Sequence, residues 1–288
     1  MLCSFLFFTL RLMHTLSVVI ITKNEERNIE RCIGSVLWAG EVIVVDSGST
    51  DATAELSRRL GARVIDRAWE GFAAQKEFAA AQAVGEWVLS LDADEEVTSE
   101  LRLEIERMLE SDEPSAVDGH RMPRKSFFLG TWIRHGGWYP GYQMRLFKKS
   151  AAYMNHRPVH EGFEVHGPVG TFKSPINHYT YDTLQQYLEK MNDYTSLDVV
   201  NKLSEHPGMT VRWYHCVINP IALFLRMTIS LKGYRDGFHG LLLAVYSSLY
   251  KLLVYAKTWE YQTALRRGET LPPVSSGDIN AIKHLRAS

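Results

Sequence analysis

Four short apolar runs lead the chain: "LSVVIIT" (16–22), "EVIVVDS" (41–47), "ARVIDR" (62–67) and "EWVLSLD" (86–92). They are rich in β-branched residues and lack the apolar–polar alternation of a half-wet strand, so they predict strands buried on both faces. Between them the period changes. Ile29, Ile33, Val36 and Leu37 share one face of a helix over 25–38; Ala54, Leu56 and Leu60 do so over 51–60, behind Asp51 as a start signal. Phe72, Phe78 and Ala79 mark a third helix over 72–83. Strand and helix in alternation predict an α/β fold with a parallel sheet and right-handed crossovers.

Past residue 97 the pattern breaks. "TSELRLEIERML" (98–109) predicts a surface helix capped by Thr98 or Ser99. Residues 118–180 are rich in aromatic residues, Gly and His, with strand-like pieces such as "YQMRLFKK" (142–149). From 182 the chain turns helical and amphipathic until Pro207-Gly208 interrupts it. Two apolar helical segments follow, with Phe238, Leu242, Val245, Leu249 and Leu252 at helical spacing in the second. Arg212, Arg226, Lys232, Arg235, Lys251 and Lys257 stand there against Asp236 and Glu260. Neither segment is an unbroken apolar stretch of the ~18–20 residues that a span requires. Apolar faces edged with basic residues instead predict helices lying in a membrane interface.

Composition narrows the picture. Of 288 residues, 45% are hydrophobic and 23% charged, which supports a sizeable core, and the net charge of −1 argues against a nucleic-acid partner. Three dispersed cysteines offer no disulfide framework and fit a reducing, cytoplasmic location. "MLCSFLFFTLRL" (1–12) lacks the basic leader and cleavage site of a signal peptide. It reads as an over-extended start before Met13, in preference to a short membrane-touching tail.

Chemistry is expected at the carboxyl ends of the parallel strands, where open α/β sheets bind ligands. Thr22, Lys23, Asn24, Glu25 and Glu26 follow the first strand, Asp46 to Asp51 the second, and Asp92 and Asp94 the fourth; Lys76 is on the helix before it. A dinucleotide site would put G-x-G-x-x-G where "TKNEE" stands, and no Walker A sequence occurs. Asp92 and Asp94, two apart on an extended segment, are expected to point to one side and share a hard divalent ion, Mg²⁺ or Mn²⁺, which offsets their repulsion. Glu95 and Glu96 are expected to be acids in the first turn of a helix.

These residues carry a resemblance. "LSVVIITKNEERNIERCIGSV", "EVIVVDSGSTDAT" and "GEWVLSLDADEE" resemble the nucleotide-sugar-binding half of glycosyltransferase family 2, which has the GT-A fold. "GGWYPGYQMRLFKK", "RPVHEGF" and "INHYTY" resemble a bacterial subgroup that includes lipopolysaccharide core β-1,4-glucosyltransferases. The resemblance implies that Asp46 binds the base, with the Thr22 backbone and Glu25 nearby. It places Lys76 on the nucleotide, Asp92 on ribose or metal, and Asp94 on the metal beneath the diphosphate. His178 resembles a histidine that reaches metal or diphosphate in some GT-A enzymes; a structural histidine is the alternative.

The family's catalytic base is a carboxylate in the second half of the domain, and Asp118, Glu161, Glu164 and Asp182 are candidates here. Glu161 is preferred, because Gly162 permits close backbone approach and His160 can orient the site. Trp138, Tyr142, Gln143 and Arg145 are the acceptor-site candidates: aromatic faces stack on sugars, and Arg holds phosphate or carboxylate.

The expected protein is thus a GT-A domain over 13–205 followed by a helical, membrane-interface region over 206–288. It is expected to work on the inner face of the cytoplasmic membrane. It would move glucose from UDP-glucose, with inversion, to a lipopolysaccharide core or other lipid-linked acceptor. Alternatives are transfer to a polyprenyl phosphate or polysaccharide, nucleotidyl transfer, and nucleotide-sugar binding without catalysis.

Overall fold

In the computed structural model, which describes residues 16–111, 117–155, 162–206 and 208–269, β1 (Leu16–Thr22) is buried along its whole length. It lies parallel between β2 (Glu41–Asp46) and β4 (Trp87–Asp92), and β3 (Arg63–Asp66) closes that edge beside β2. Successive residues serve opposite faces. Val18, Ile20, Val44, Leu89 and Leu91 pack with Ile29, Cys32 and Ile33 of α1 (Ile29–Gly34) and with Leu101 and Ile105 of α4 (Ser99–Glu110). Val19, Ile21, Ile43, Val45 and Val88 pack with Ala79 and Ala80 of α3 (Phe72–Gln82). Burial on both faces is why these strands read as continuous apolar runs. α2 (Thr53–Arg59) links β2 to β3. Thr98 caps α4, its Oγ1 accepting from the Leu101 N–H, as expected.

The sheet then changes direction. β8 (Tyr142–Lys148) lies antiparallel beside β4, and β6 (Gly119–Phe128) antiparallel beside β8. Short β5 (Glu95–Val97) pairs antiparallel with β12 (Ile176–Tyr181), and β9 (Ala152–Asn155) with β10 (Gly162–Val165). β11 (Val169–Thr171) runs parallel to β6. β5 replaces the expected first-turn acids: Glu95 and Glu96 are strand residues, and the helix begins only at Ser99. The expected helix over 25–38 is shorter, confined to α1.

Two compact units result, dividing at 125/126, 139/140 and 179/180. The first holds the sheet just described. In the second, Phe127 and Phe128 turn through Leu129 and Gly130 (φ 50° and 75°) into β7 (Thr131–Trp132), the loop geometry that matches strand twist. Phe128 and Ile133 pack there with Tyr187, Met191 and Leu243 from α5 (Leu184–Glu205) and α7 (Gly237–Arg267). α6 (Trp213–Leu225) continues as a π-helical turn over Arg226–Ser230 and packs on α7. α5 also packs on α7 within this unit. Gly233–Arg267 is one helix long and apolar enough to cross a membrane by length and composition, although no unbroken apolar run of that length exists. The segment 1–12 lies outside the described residues.

Candidate active site

Strand register assembles the site. Thr22 pairs with Asp46, and Ile21 with Asp92, so the ends of β1, β2 and β4 form one rim. The loops leaving β1 and β2 are stitched together. The Asn24 N–H donates to Ser49 Oγ (2.8 Å), and its Oδ1 accepts from the Thr50 N–H (2.8 Å). The Glu25 N–H donates to Thr53 Oγ1 (2.8 Å), while Glu25 Oε2 accepts from the Asn28 side chain (2.8 Å). Asn24 adopts φ 54°, a left-handed conformation that Asn tolerates better than most residues.

Asp46 is buried, and its carboxylate accepts from the N–H groups of Gly48 (3.1 Å) and Ser49 (2.8 Å) and from the Ser49 hydroxyl. A carboxylate has about four lone-pair sites, so these three bonds leave room for one further donor. Among the described residues Thr22 Oγ1, which is buried, has no hydrogen-bond partner, and neither has Gln75 Oε1 on α3. Gln75 is fully buried, with its Nε2 donating to Ser47 Oγ (2.9 Å). The sequence pattern singles out Lys76 and not its neighbour Gln75, whose place in an alanine-rich helix is the available signal.

The two aspartates of "DAD" part company. The chain turns at Ala93-Asp94, because Glu95 folds back so that its Oε2 accepts the Asp92 N–H (3.1 Å). They do not share one extended face. Asp92 lies against Lys76 Nζ (3.0 Å) and the Arg145 guanidinium, and the same Arg145 Nη2 reaches Glu95 Oε1 (2.6 Å). Repulsion between these carboxylates is therefore offset by two side-chain cations. Burial alone would push the Asp92 carboxyl up; Arg145 and Lys76 outweigh it and hold the group well below the usual carboxylate range. Burial pulls the other way on Arg145 as well, and Asp92 and Glu95 raise its pKa above the normal guanidinium value.

Arg145, expected on the acceptor side, is turned inward on β8, which lies beside β4, and its side chain is 7% exposed against Asp92 and Glu95. Asp94 sits by His178 Nε2 (3.3 Å), which the β5–β12 ladder brings alongside Glu95. Glu96 accepts from Tyr179 Oη (2.6 Å) and Asn177 Nδ2 (3.0 Å). Burial first, then Glu96, pushes the Tyr179 phenol up to about 12, and Arg31 lies over its ring.

Tyr142 is exposed and Gln143 half-buried on β8; Trp138 belongs to the second unit, its ring edge-on to Phe128. Glu161 and His160 lie outside the described residues. Among the described residues no three His, Cys, Asp or Glu converge as a metal cage. Asp94 and His178 nevertheless fit as two ligands of a hard octahedral ion, which commonly takes its other positions from water and substrate phosphates.

The sequence model of "Glycosyl transferase family 2" matches residues 17–180, the stretch that builds this rim. The chain belongs to glycosyltransferase family 2. It is 30% identical over 253 residues to the lipopolysaccharide core biosynthesis glycosyltransferase LpsC of Rhizobium meliloti (strain 1021), covering 85% of this chain and 92% of that one. It is 31% identical over 266 residues to the uncharacterized glycosyltransferase RP128 of Rickettsia prowazekii (strain Madrid E), covering 85% and 87%. Among solved structures, S. aureus TarS 1–349 in complex with UDP-GlcNAc is similar at 14% identity and TM-score 0.47, over 91% of this chain and 95% of that one. Glucosyl-3-phosphoglycerate synthase from Mycobacterium tuberculosis, in complex with Mn²⁺, UDP-glucose and phosphoglyceric acid, is similar at 26% identity and TM-score 0.33, over 39% and 44%. The family 2 chain is a glycosyltransferase with the GT-A arrangement, a mixed sheet flanked by helices in which only the leading strands run parallel, not the mostly parallel sheet expected.

Proposed function

We propose that this family 2 enzyme transfers glucose from UDP-glucose, with inversion, to a lipopolysaccharide core or other lipid-linked saccharide. The observation that carries the reading is the rim itself: Asp46 and the unpartnered Thr22 hydroxyl at two adjoining strand ends, and Asp92 and Asp94 at the third. Asp46 has acceptor capacity for a base N–H, and Thr22 can bond a polar group brought in by the nucleotide. Glu25 and Lys76 complete the nucleotide side, with Lys76 acting through Asp92. The relative named for lipopolysaccharide core biosynthesis supports the acceptor class.

Inversion is one in-line displacement. The acceptor hydroxyl oxygen bonds to the sugar C1 from the face opposite the diphosphate and gives its proton to the Glu161 carboxylate, oriented by His160, as the C1–O bond to the diphosphate breaks and UDP leaves. Asp94 and His178 would hold a Mg²⁺ or Mn²⁺ ion, whose chemistry is neutralisation of charge on the departing diphosphate. Trp138, Tyr142 and Gln143 are the acceptor-side groups of the proposal. The GT-A domain is assigned to 13–205. The helical region, 206–288, is assigned to the inner face of the cytoplasmic membrane.

The test is a screen of nucleotide sugars with Mn²⁺, followed by transfer to truncated core acceptors. UDP-glucose is expected to be turned over, and Glu161→Gln to abolish transfer while leaving UDP binding intact. Transfer at the normal rate by that variant removes Glu161 as base. Transfer only to polyprenyl phosphate replaces the acceptor.

A further inference from the structure

The helical unit carries a long apolar face that no described residue covers. Trp213, Val217, Ile218, Ile221, Leu225 and Ile229 are all exposed, from 47% to 76%. They recur about every four residues along α6 and its π-helical turn, so they share one side of the rod. Pro220 and Met227 of the same rod are buried. Phe238, Leu241 and Val245 add exposed apolar positions on the first turns of α7. A single exposed apolar residue is ordinary; a row of this length marks an interaction surface.

Charge identifies the partner. Arg212, Arg226, Lys232 and Arg235 are exposed along the same stretch. Asp236 is the one acid between 211 and 259, and it is turned inward. Its carboxylate accepts from the N–H groups of Arg134 (3.1 Å) and His135 (2.7 Å) and lies 2.8 Å from His135 Nδ1. An apolar row edged by cations, with its acid withdrawn, matches an anionic lipid surface, where hydrocarbon accepts the row and headgroups accept the cations.

The same unit opposes a spanning reading of α7. Lys257 Nζ donates to the Asn192 carbonyl, Thr195 Oγ1 and Ser196 Oγ, each at 2.8 Å, and Tyr250 Oη donates to Asp198. Gln262 is bonded to the backbone of Met209 and Val211. These bonds pin the second half of α7 to α5 and to the segment before α6, a polar seam unsuited to bilayer hydrocarbon.

We infer that α6, its π-helical turn and the start of α7 form a docking face that lies flat on an anionic phospholipid surface. The inference deepens the membrane partner of the proposed function and rests on that reading. Vesicle binding needs neither donor nor acceptor, so the two fail separately.

The experiment is co-sedimentation of the full chain with vesicles of phosphatidylglycerol and phosphatidylethanolamine, against phosphatidylcholine alone. Anionic vesicles are expected to take up at least ~10-fold more protein, and high salt to reverse the difference. Ile218→Asp with Ile221→Asp, and separately Arg226→Glu with Arg235→Glu, should each lower that uptake ~10-fold or more. Val84→Asp, at an 82% exposed valine of the sheet unit, should not change it. UDP binding reports that each variant is folded; should the aspartate pair fail to fold, the surface charge swap carries the test. Equal uptake by charge-swapped and unaltered chains overturns the inference. So does indifference to vesicles by a chain that sediments as a dimer and is made monomeric by the aspartate pair, which would give the face to a second copy.

Discussion

Arg145→Met tests how the "DAD" segment is held. The substitution keeps most of the side-chain volume and removes the one cation shared by Asp92 and Glu95. Glu95 is fully buried, and Asp92 retains Lys76 at 3.0 Å. Removing one partner of a buried ion pair costs about 3–5 kcal/mol, chiefly because the other charge is left in a dry place. The remaining lysine puts the expected loss near the lower figure, about 3 kcal/mol. Against a typical total of about 5–15 kcal/mol the variant should still fold.

Urea denaturation followed by tryptophan fluorescence measures the loss, and its pH dependence identifies the cause. The native Asp92 carboxyl is held below its unfolded value, so its contribution is fully present above the unfolded pKa of about 3.9 and is lost as pH falls through the folded value. With Arg145 gone much of that contribution is absent. The gap between variant and parent should therefore be largest near pH 7 and close progressively below about pH 4. Arg145→Lys should recover only part of the stability, because the one nitrogen that meets both carboxylates is replaced by an ammonium on a shorter stem. A loss under about 1 kcal/mol, the value of a surface pair, would refute the reasoning. So would a gap that stays constant as the pH falls.

Three further predictions use independent features. On the proposed function, Asp94→Asn should lower turnover of UDP-glucose with Mn²⁺ by ~100-fold or more while UDP binding without metal is unchanged; calorimetry with and without Mn²⁺ separates the two. Thr98→Ala removes the acceptor for the Leu101 N–H and the donor to the Pro175 carbonyl (2.9 Å), and should cost about 1 kcal/mol in urea denaturation. At Gly170 a Cβ would stand 2.6 Å from the His120 ring, itself stacked on Phe172; Gly170→Ala should therefore cost about 1–3 kcal/mol and lower the thermal midpoint.

The sheet was legible in the sequence because burial on both faces leaves an unmistakable trace, and strand ends follow from it. Once β1, β2 and β4 are parallel, Thr22, Asp46 and Asp92 must meet at one edge. Glu95 was not legible. Four acids before an amphipathic helix look like a solvated start, and what makes Glu95 a buried strand residue is Arg145, 50 positions later and on a strand of opposite direction. Gln75 was hidden for a similar reason: a polar residue beside a lysine on a helix suggests solvent, whereas α3 lays that side against the ends of the sheet. Local pattern predicts elements; it does not predict which distant side chain will neutralise a buried charge.

That neutralisation bears on the chemistry. An acidic rim is a poor receptor for a diphosphate. If Asp92, Asp94 and Glu95 all presented charge to the donor, the donor would be repelled. Asp92 and Glu95 are instead balanced by Lys76 and Arg145, two against two. Glu96 is engaged by Tyr179 and Asn177. Asp94 lies beside His178. The segment therefore separates two tasks that its sequence merges. On the proposed function, Asp92 is fixed from below as part of the wall, and Asp94 would be the carboxylate at which a divalent ion brings the diphosphate in. Exchanging the two substitutions should expose the division: Asp92→Asn should destabilise the fold and its response to pH, and Asp94→Asn the response to metal.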